Sequence, residues 1–449
     1  MAAATMHTED VALFNDPPYN TAEDKISWVE YRPTFISQGG YSSMHFHIAG
    51  NPIQYIDLAQ SELYVKLKIE KEDGTPFTGN QECLPIDLIF HTMWSSVEVS
   101  LNQTLVSSAG TNYMFKAAFE CILNYSKNTK EIQMSTIGFT PDGGDFESNI
   151  SKGRTGKAVN PGLAARKKLF ANGECEFTGP LLADVCNQGR LIMDGVDIDI
   201  VLWPTKDPFR LMANPATLKC KITIQDIYLK VCKVAVNKYC MAGHHAGLQI
   251  GKGKYPMQKT AILTKVLEAG SFGETFENIF QGIVPARLVI GMVDSEAYSG
   301  SFTLNPLNFQ NFNLESVGFY VDGEPTPRPP YRFNFDNNQY IEGLLGLYKT
   351  VGKAWEDADI GITRETYQNG ATLVAFNVDP TTATDFHYLG IPKTGHTRLQ
   401  IRLKEAAAKS ITVIIYAAFP ARMEIDEARN ITVKGPKELL QELLMSKYQ

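Results

Sequence analysis

Residues Glu62-Leu63-Tyr64-Val65-Lys66-Leu67-Lys68-Ile69-Glu70 alternate apolar and polar at every position. Leu63, Val65, Leu67 and Ile69 fall on one face of an extended strand and Tyr64, Lys66, Lys68 and Glu70 on the other, which predicts a half-buried antiparallel strand. Further strands are predicted at Met44 to Ile48, Ser96 to Leu101, Cys175, Val196 to Leu202 and Cys220 to Ile224. After Ile224 the apolar beat slips to Ile227, Leu229 and Val231, as a β-bulge would make it do. One helix interrupts the series: Tyr113, Ala117, Cys121 and Ile122 recur at helical spacing after the start signal Gly110-Thr111-Asn112. The Gly-rich, irregular stretch 128–168 reads as a long surface loop.

Past residue 255 the order of elements returns. Strands are predicted at 261–267, 288–293, 316–321, 372–378, 399–403 and 411–416, with Arg398-Leu399-Gln400-Ile401-Arg402-Leu403-Lys404 alternating as 62–70 does. A second helix carries Ile341, Leu344, Leu345, Tyr348 and Val351 on one side. Corresponding points, Val97 with Val317, Tyr113 with Ile341, Ile198 with Leu399 and Cys220 with Ile411, lie roughly 190 to 230 residues apart, so the halves share an architecture without a strict repeat. About eight short strands per half, broken by one helix, is a jelly-roll pattern. The expected fold is therefore all-β: a double jelly roll of two eight-stranded antiparallel sandwiches, with short helices in connections and a C-terminal helix. The expected organisation is an arm at 1–25, a first roll at 26–238, an inter-roll connection at 239–255, a second roll at 256–425 and a tail at 426–449.

Composition supports two cores. At 449 residues and 44% hydrophobic, the chain exceeds one ordinary domain, and its 35 Gly and 23 Pro are spread as turn punctuation. No apolar run approaches the roughly 18 to 20 residues that span a membrane, and the N-terminus has no signal-peptide core, so a soluble protein made inside the cell is expected. The seven cysteines include no Cys-x-x-Cys pair and are expected as free, mostly buried thiols. The sequons at Asn102, Asn124, Asn149 and Asn430 carry no weight without export. A net charge of −7 and a pI near 5.7 argue against a protein that coats nucleic acid, since phosphate binding rests on Lys and Arg.

Several segments resemble a known family. Trp28-Val29-Glu30-Tyr31-Arg32-Pro33, the run from Ile48 to Asn51 into Tyr55-Ile56-Asp57-Leu58, Leu63-Tyr64-Val65, and Val97-Glu98-Val99-Ser100-Leu101-Asn102 before the Tyr113 helix are similar to the hexon-like major capsid proteins of Maverick/Polinton elements and adintoviruses. The likeness is clearest over 25–235 and mostly architectural over 255–425. It implies a double jelly-roll subunit that trimerises into pseudo-hexameric capsomers of an icosahedral shell. It also implies a minor or penton capsid partner, location in the virion, and assembly in the host cytoplasm or nucleus.

Candidate chemistry is sparse. Gly39 followed by His45-Phe46-His47 matches the opening of a cupin metal motif, but Asn51 and Pro52 stand where its carboxylate would be, and His387 and His396 lack a matching frame. Gly247-Leu248-Gln249-Ile250-Gly251-Lys252-Gly253 is one residue short of a phosphate loop and has no Ser or Thr after its Lys, so it reads as a flexible connection. Arg154, Lys157, Arg166, Lys167 and Lys168 form the densest basic cluster, a candidate contact with DNA or an acidic neighbour; a solvated loop is the simpler reading because no aromatics interleave. Glu405-Ala406-Ala407-Ala408-Lys409 holds one turn of helix formers.

In the tail, Pro436 suits the first turn of a helix whose Leu439, Leu440, Leu443 and Leu444 share one face, a candidate contact between capsomers. No catalytic residue, cofactor or metal site is expected, and the chain reads as a structural protein rather than an enzyme. The alternatives are a jelly-roll carbohydrate-binding or attachment protein, which usually needs export, and a bicupin-like metalloenzyme, which needs the missing carboxylate.

Overall fold

In a computed structural model of the chain, residues 21–34, 42–78, 81–149, 160–215, 217–357, 359–379 and 390–446 are described. Residues 1–20 of the expected arm, Gly39, Arg154, Lys157 and His387 lie outside them.

The first half contains β1 (Glu23–Tyr31), β2 (Met44–Ile48), β3 (Gln54–Lys71), β4 (Glu82–Pro85), β5 (Trp94–Leu101), β6 (Thr104–Ser108), β7 (Glu174–Pro180), β8 (Ile198–Pro204), β9 (Leu211–Asn214) and β10 (Cys220–Val236). Eight of them form two four-stranded sheets, β1-β10-β3-β7 and β2-β8-β5-β6, and β4 pairs β9. Alternation decides the packing: Leu63, Val65, Leu67 and Ile69 are buried between the sheets, while Tyr64, Lys66, Lys68 and Glu70 are half-buried on the outer face. The slip after Ile224 is a register shift against β3 between Ile224 and Asp226.

The second half contains β11 (Gly253–Leu267), β12 (Gly273–Glu277), β13 (Ile283–Val284), β14 (Arg287–Asp294), β15 (Leu314–Val321), β16 (Glu324–Pro325), β17 (Tyr331–Arg332), β18 (Leu373–Asn377), β19 (Lys393–Thr394), β20 (Thr397–Leu403), β21 (Ile411–Ile425) and β22 (Ile431–Lys434). Its main sheets run β11-β21-β14-β18 and β12-β20-β15-β16, with β22 added to the first and β17 to the second. The strand orders of the halves therefore correspond, β1 to β11, β10 to β21, β3 to β14, and so on. The helices Tyr113–Asn124 and Ile341–Thr350 occupy the same place in each series. Each pair of points matched in the sequence lies on corresponding elements. The fold is a double jelly roll.

Two local readings are corrected. The segment 239–255 is not a flexible connection: it is a helix, Lys238–Ile250, followed by β11. The Asn237 side chain accepts from the Tyr239 N–H (2.9 Å), Leu248 is buried, and His244 Nδ1 lies 2.9 Å from the Tyr55 hydroxyl, so a helical face anchors it. The stretch 128–168 is not simply a surface loop. It holds the end of helix Lys127–Ile132 and most of helix Pro161–Leu169, capped by Ser126 and Asn160, and it buries Phe139 and Ser148. Residues 405–409, the short run of helix formers, take bends rather than a helical turn, with Ala407 buried.

Candidate functional site

The two rolls meet along a seam built on the helix Tyr113–Asn124, ten of whose twelve residues are buried. One side rests on β5 of its own roll and the other on β11 and β21. The Phe119 ring lies 5.2 Å from that of Phe309 and 5.9 Å from that of Tyr416, and Phe115 stacks on Tyr298 at 5.5 Å. The Tyr298 hydroxyl donates to Asn112 Oδ1 (2.9 Å). Long-range aromatic contacts of this kind add to the area they bury.

Charge is buried within this apolar contact. Lys116 Nζ is 2.8 Å from Glu120, 3.3 Å from Asp184, and donates to the Leu182 carbonyl at 2.6 Å. Asp184 Oδ2 accepts from the Thr260 N–H of β11 (3.1 Å), and the Tyr416 hydroxyl donates to Glu120 (3.4 Å), tying the cluster to the second roll. Burial by itself would lower the lysine, but the two carboxylates outweigh it and hold Lys116 above the usual range. Burial raises Glu120, against the pull of Lys116. Three ions in such a place are tolerable only because each has partners.

A second clamp is the strap 138–149. The Thr140 N–H donates to Asp87 (2.6 Å), and Arg166 donates to the Thr140 carbonyl (2.8 Å) and pairs with Asp142 (2.6 Å). On the other side, Asn305 of the second half donates its side-chain N–H to Asp142 (2.7 Å) and its backbone N–H to Glu147 (2.8 Å), while Asn308 donates to Glu147 (2.5 Å). Phe146 lies where a side chain on Gly370 (φ +98°) would sit, so that glycine admits the strap. Lys130 Nζ donates to the Ile360 carbonyl (2.8 Å), and burial lowers its pKa to about 8. Burial raises Asp87 to about 6.

The sequence-predicted residues are dispersed around these contacts. Of the basic cluster, Arg166, on the helix Pro161–Leu169 and bonded to the strap, is 1% exposed and cannot meet a ligand, Lys167 pairs with Glu82, and Lys168 is exposed on the same helix rather than in a loop. His45 and His47 are exposed on β2, bonded to Ser43 (3.0 Å) and Asp199 (2.7 Å), and His396 lies 3.8 Å from Glu277. Among the described residues no group of three or more His, Cys, Asp or Glu is placed to hold a metal. The seven cysteines are free thiols, five buried and two, Cys175 and Cys240, partly so. The tail helix Pro436–Ser446 exists, but its leucines do not share one environment: Leu439 is buried against its own roll, Leu440 is half-buried, and Leu443 and Leu444 are exposed. Glu442 pairs with Arg422 and Lys434, which also hold the buried Glu424.

Sequence reasoning missed the strap and the outer face of the sheet β1-β10-β3-β7. There Ile26 and Trp28 on the edge strand are 49% and 50% exposed, beside a stack of Tyr64 on Tyr228 at 4.5 Å. Trp28 was visible in a short alternating segment, but the sequence does not say which strand lies at the end of a sheet.

Two jelly rolls joined along a buried seam place this chain among double jelly-roll proteins. Across 98% of its length it superposes on a chain of the Sputnik virophage structure, covering 95% of that chain with a TM-score of 0.60 at 10% identity. The Faustovirus major capsid protein (TM-score 0.55, 10% identity, 95% of this chain and 93% of that one) and the mavirus major capsid protein (0.51, 10%, 97% and 95%) share the fold. In sequence the chain is 25% identical over 440 residues to the uncharacterized protein F54H12.2 of Caenorhabditis elegans, spanning 92% of this chain and 98% of that one. No protein-family model matches. No helix among the described residues is long and apolar enough to cross a membrane.

Proposed function

We propose that the protein is a structural one, the major capsid subunit of an icosahedral shell. Three copies supply six similar wedges that tile a near-hexagonal cell. The observation that carries this reading is the pair of rolls with corresponding strand orders, locked by buried charge into one body. An enzyme needs a cleft with reacting groups, whereas a shell needs a rigid block of set shape, and this chain buries ions in the seam between its rolls. The fold shared with major capsid proteins supports the reading. The assignment to a Maverick/Polinton or adintovirus-like element rests on the sequence resemblance over residues 25–235.

In this reading the exposed Leu443, Leu444 and Met445 at the end of the tail helix are the contact to a neighbouring capsomer or a minor capsid protein, while Leu439 anchors the helix to its own subunit. The association within a capsomer is permanent and falls in the roughly 2,000 to 5,000 Å² class. Light scattering of the purified protein at micromolar concentration, followed by electron microscopy, tests this: trimers and closed particles are expected, and a monomer throughout rules the reading out. Leu443→Arg with Leu444→Arg should leave trimers with wild-type melting but block particle closure; particles from that variant would remove the tail from the contact.

A further inference from the structure

The chain carries two open surfaces whose counterparts are already joined inside it. In the second roll, the outer face of β11-β21-β14 presents Tyr416 and Arg287, and the first roll's helix Tyr113–Asn124 covers Tyr416; with the tail helix Pro436–Ser446 against its far end, all of β21 except Arg422 is buried. Among the described residues, nothing covers the corresponding outer face of the first roll, on β1-β10-β3, in the same way: Ile26 and Trp28 are half exposed and Tyr64 and Tyr228 are half-buried. The helix Ile341–Thr350, the counterpart of 113–124, likewise has an open side. Ile341 is 42% exposed and Leu345 is half-buried, beside a groove lined by Pro327, Arg328, Tyr331 and Glu342.

We propose that these two surfaces bind each other between copies. The Ile26–Trp28 face of one subunit would receive the Ile341–Leu345 side of the next subunit's second roll. The occupant is a second copy because one chain supplies both halves of the contact, and because a related junction, sheet face against helix, is already established within the chain. The junctions are related rather than identical: the 113–124 helix rests on β5, whereas the 341–350 helix lies along β18. Such a contact is head-to-tail, since the patches differ, and it closes into a ring if each step turns by the right angle. Chemistry agrees with the pairing. A tryptophan and an isoleucine on the edge strand of the described sheet are what a neighbour buries, and the surrounding Glu30, Lys230 and Arg32 make a polar rim. The proposal rests on the capsomer reading above and names its joining surfaces.

The test uses two full-length variants, Trp28→Arg and Ile341→Arg, each destroying one half of the contact. Each alone is expected to be monomeric with a wild-type melting curve, and a one-to-one mixture is expected to give two-chain particles and no larger ones, because only one live junction can form. If either variant still assembles as the wild type does, the surface it alters is wrong, although the capsomer reading survives. If mixing leaves monomers, the two patches do not meet. If the wild type is itself a monomer, the capsomer reading fails first. Ile26→Arg on the same face replaces Trp28→Arg should that variant misfold.

Discussion

Replacing Lys116 by methionine tests whether the seam is held by charge. The side chain is 1% exposed and serves three oxygens, on Glu120, Asp184 and Leu182. Methionine fills nearly the same space, so little cavity forms and the effect is electrostatic. Breaking a buried ion pair from one side costs about 3–5 kcal/mol, because the remaining carboxylates stay desolvated without a counterion. Against a domain stability of about 5–15 kcal/mol, that is a large fraction. Urea unfolding followed by circular dichroism and tryptophan fluorescence reads the loss, and loosened coupling should split one transition into two. The triple variant Lys116→Met, Glu120→Leu, Asp184→Asn should recover most of it, since well-packed apolar groups replace buried ions at little cost. The deficit of the single variant should also be larger at pH 8 than at pH 5. A carboxyl whose folded pKa lies above its unfolded value takes up protons on folding, so it withdraws stability as pH rises through that window. A loss below about 1 kcal/mol at pH 8 would show that the cluster does not hold the rolls together.

Other outcomes follow from single sites. Burial lowers His91 to about 3, so its contribution is full above about 6.5 and is lost as pH falls toward 3, by about 1.4 kcal/mol per pH unit; Asp87, raised to about 6, acts oppositely between about 4 and 6. Between about pH 6 and 4 the two should nearly cancel in the wild type, so His91→Gln should gain stability as pH falls through that window and Asp87→Asn, whose amide oxygen can keep both backbone donors on Asp87 Oδ1, should lose it; slopes of the same sign in the two variants would refute the assignment. Gly346→Ala should lose about 1–3 kcal/mol in thermal unfolding, because its Cβ would fall 2.0 Å from the Tyr331 hydroxyl, whereas Gly243→Ala, with open space around it, should gain about 0.5–1 kcal/mol. Alkylation of the native protein should reach Cys175 and Cys240 first, and mass spectrometry after unfolding without reductant should find seven free thiols.

Much of the fold was legible because alternation reports one buried face directly. The 62–70 segment, the bulge after Ile224 and the matching of Cys220 with Ile411 all follow from which side chains must leave water. What alternation cannot report is burial of polar groups by distant partners. Arg166 looked like one more base in a charged stretch, yet Asp142 and Thr140 bury it, and Asp142 is itself fixed by Asn305 from the other half. The helix Lys238–Ile250 was obscured for a related reason. Its glycines resemble turn signals, while the face that holds it, Cys240, His244 and Leu248 at four-residue spacing, mixes residue types that no hydrophobic count groups together.

The two corresponding strands β10 and β21 also differ in a way that bears on assembly. β21 reads Ile411-Thr412-Val413-Ile414-Ile415-Tyr416-Ala417-Ala418-Phe419, apolar on nearly every position, as a strand covered on both faces must be. Through Lys221-Ile222-Thr223-Ile224 and Tyr228-Leu229-Lys230, β10 keeps polar or aromatic side chains on its outer side. A seam made within the chain forms as the chain folds and never has to be soluble apart. A surface that meets another copy must survive in water until the copy arrives, which limits it to a few apolar anchors in a charged field. Ile26 and Trp28 among Glu30, Arg32 and Lys230 have that composition, so the difference between the two outer faces is what separate stages of assembly require of one repeated architecture.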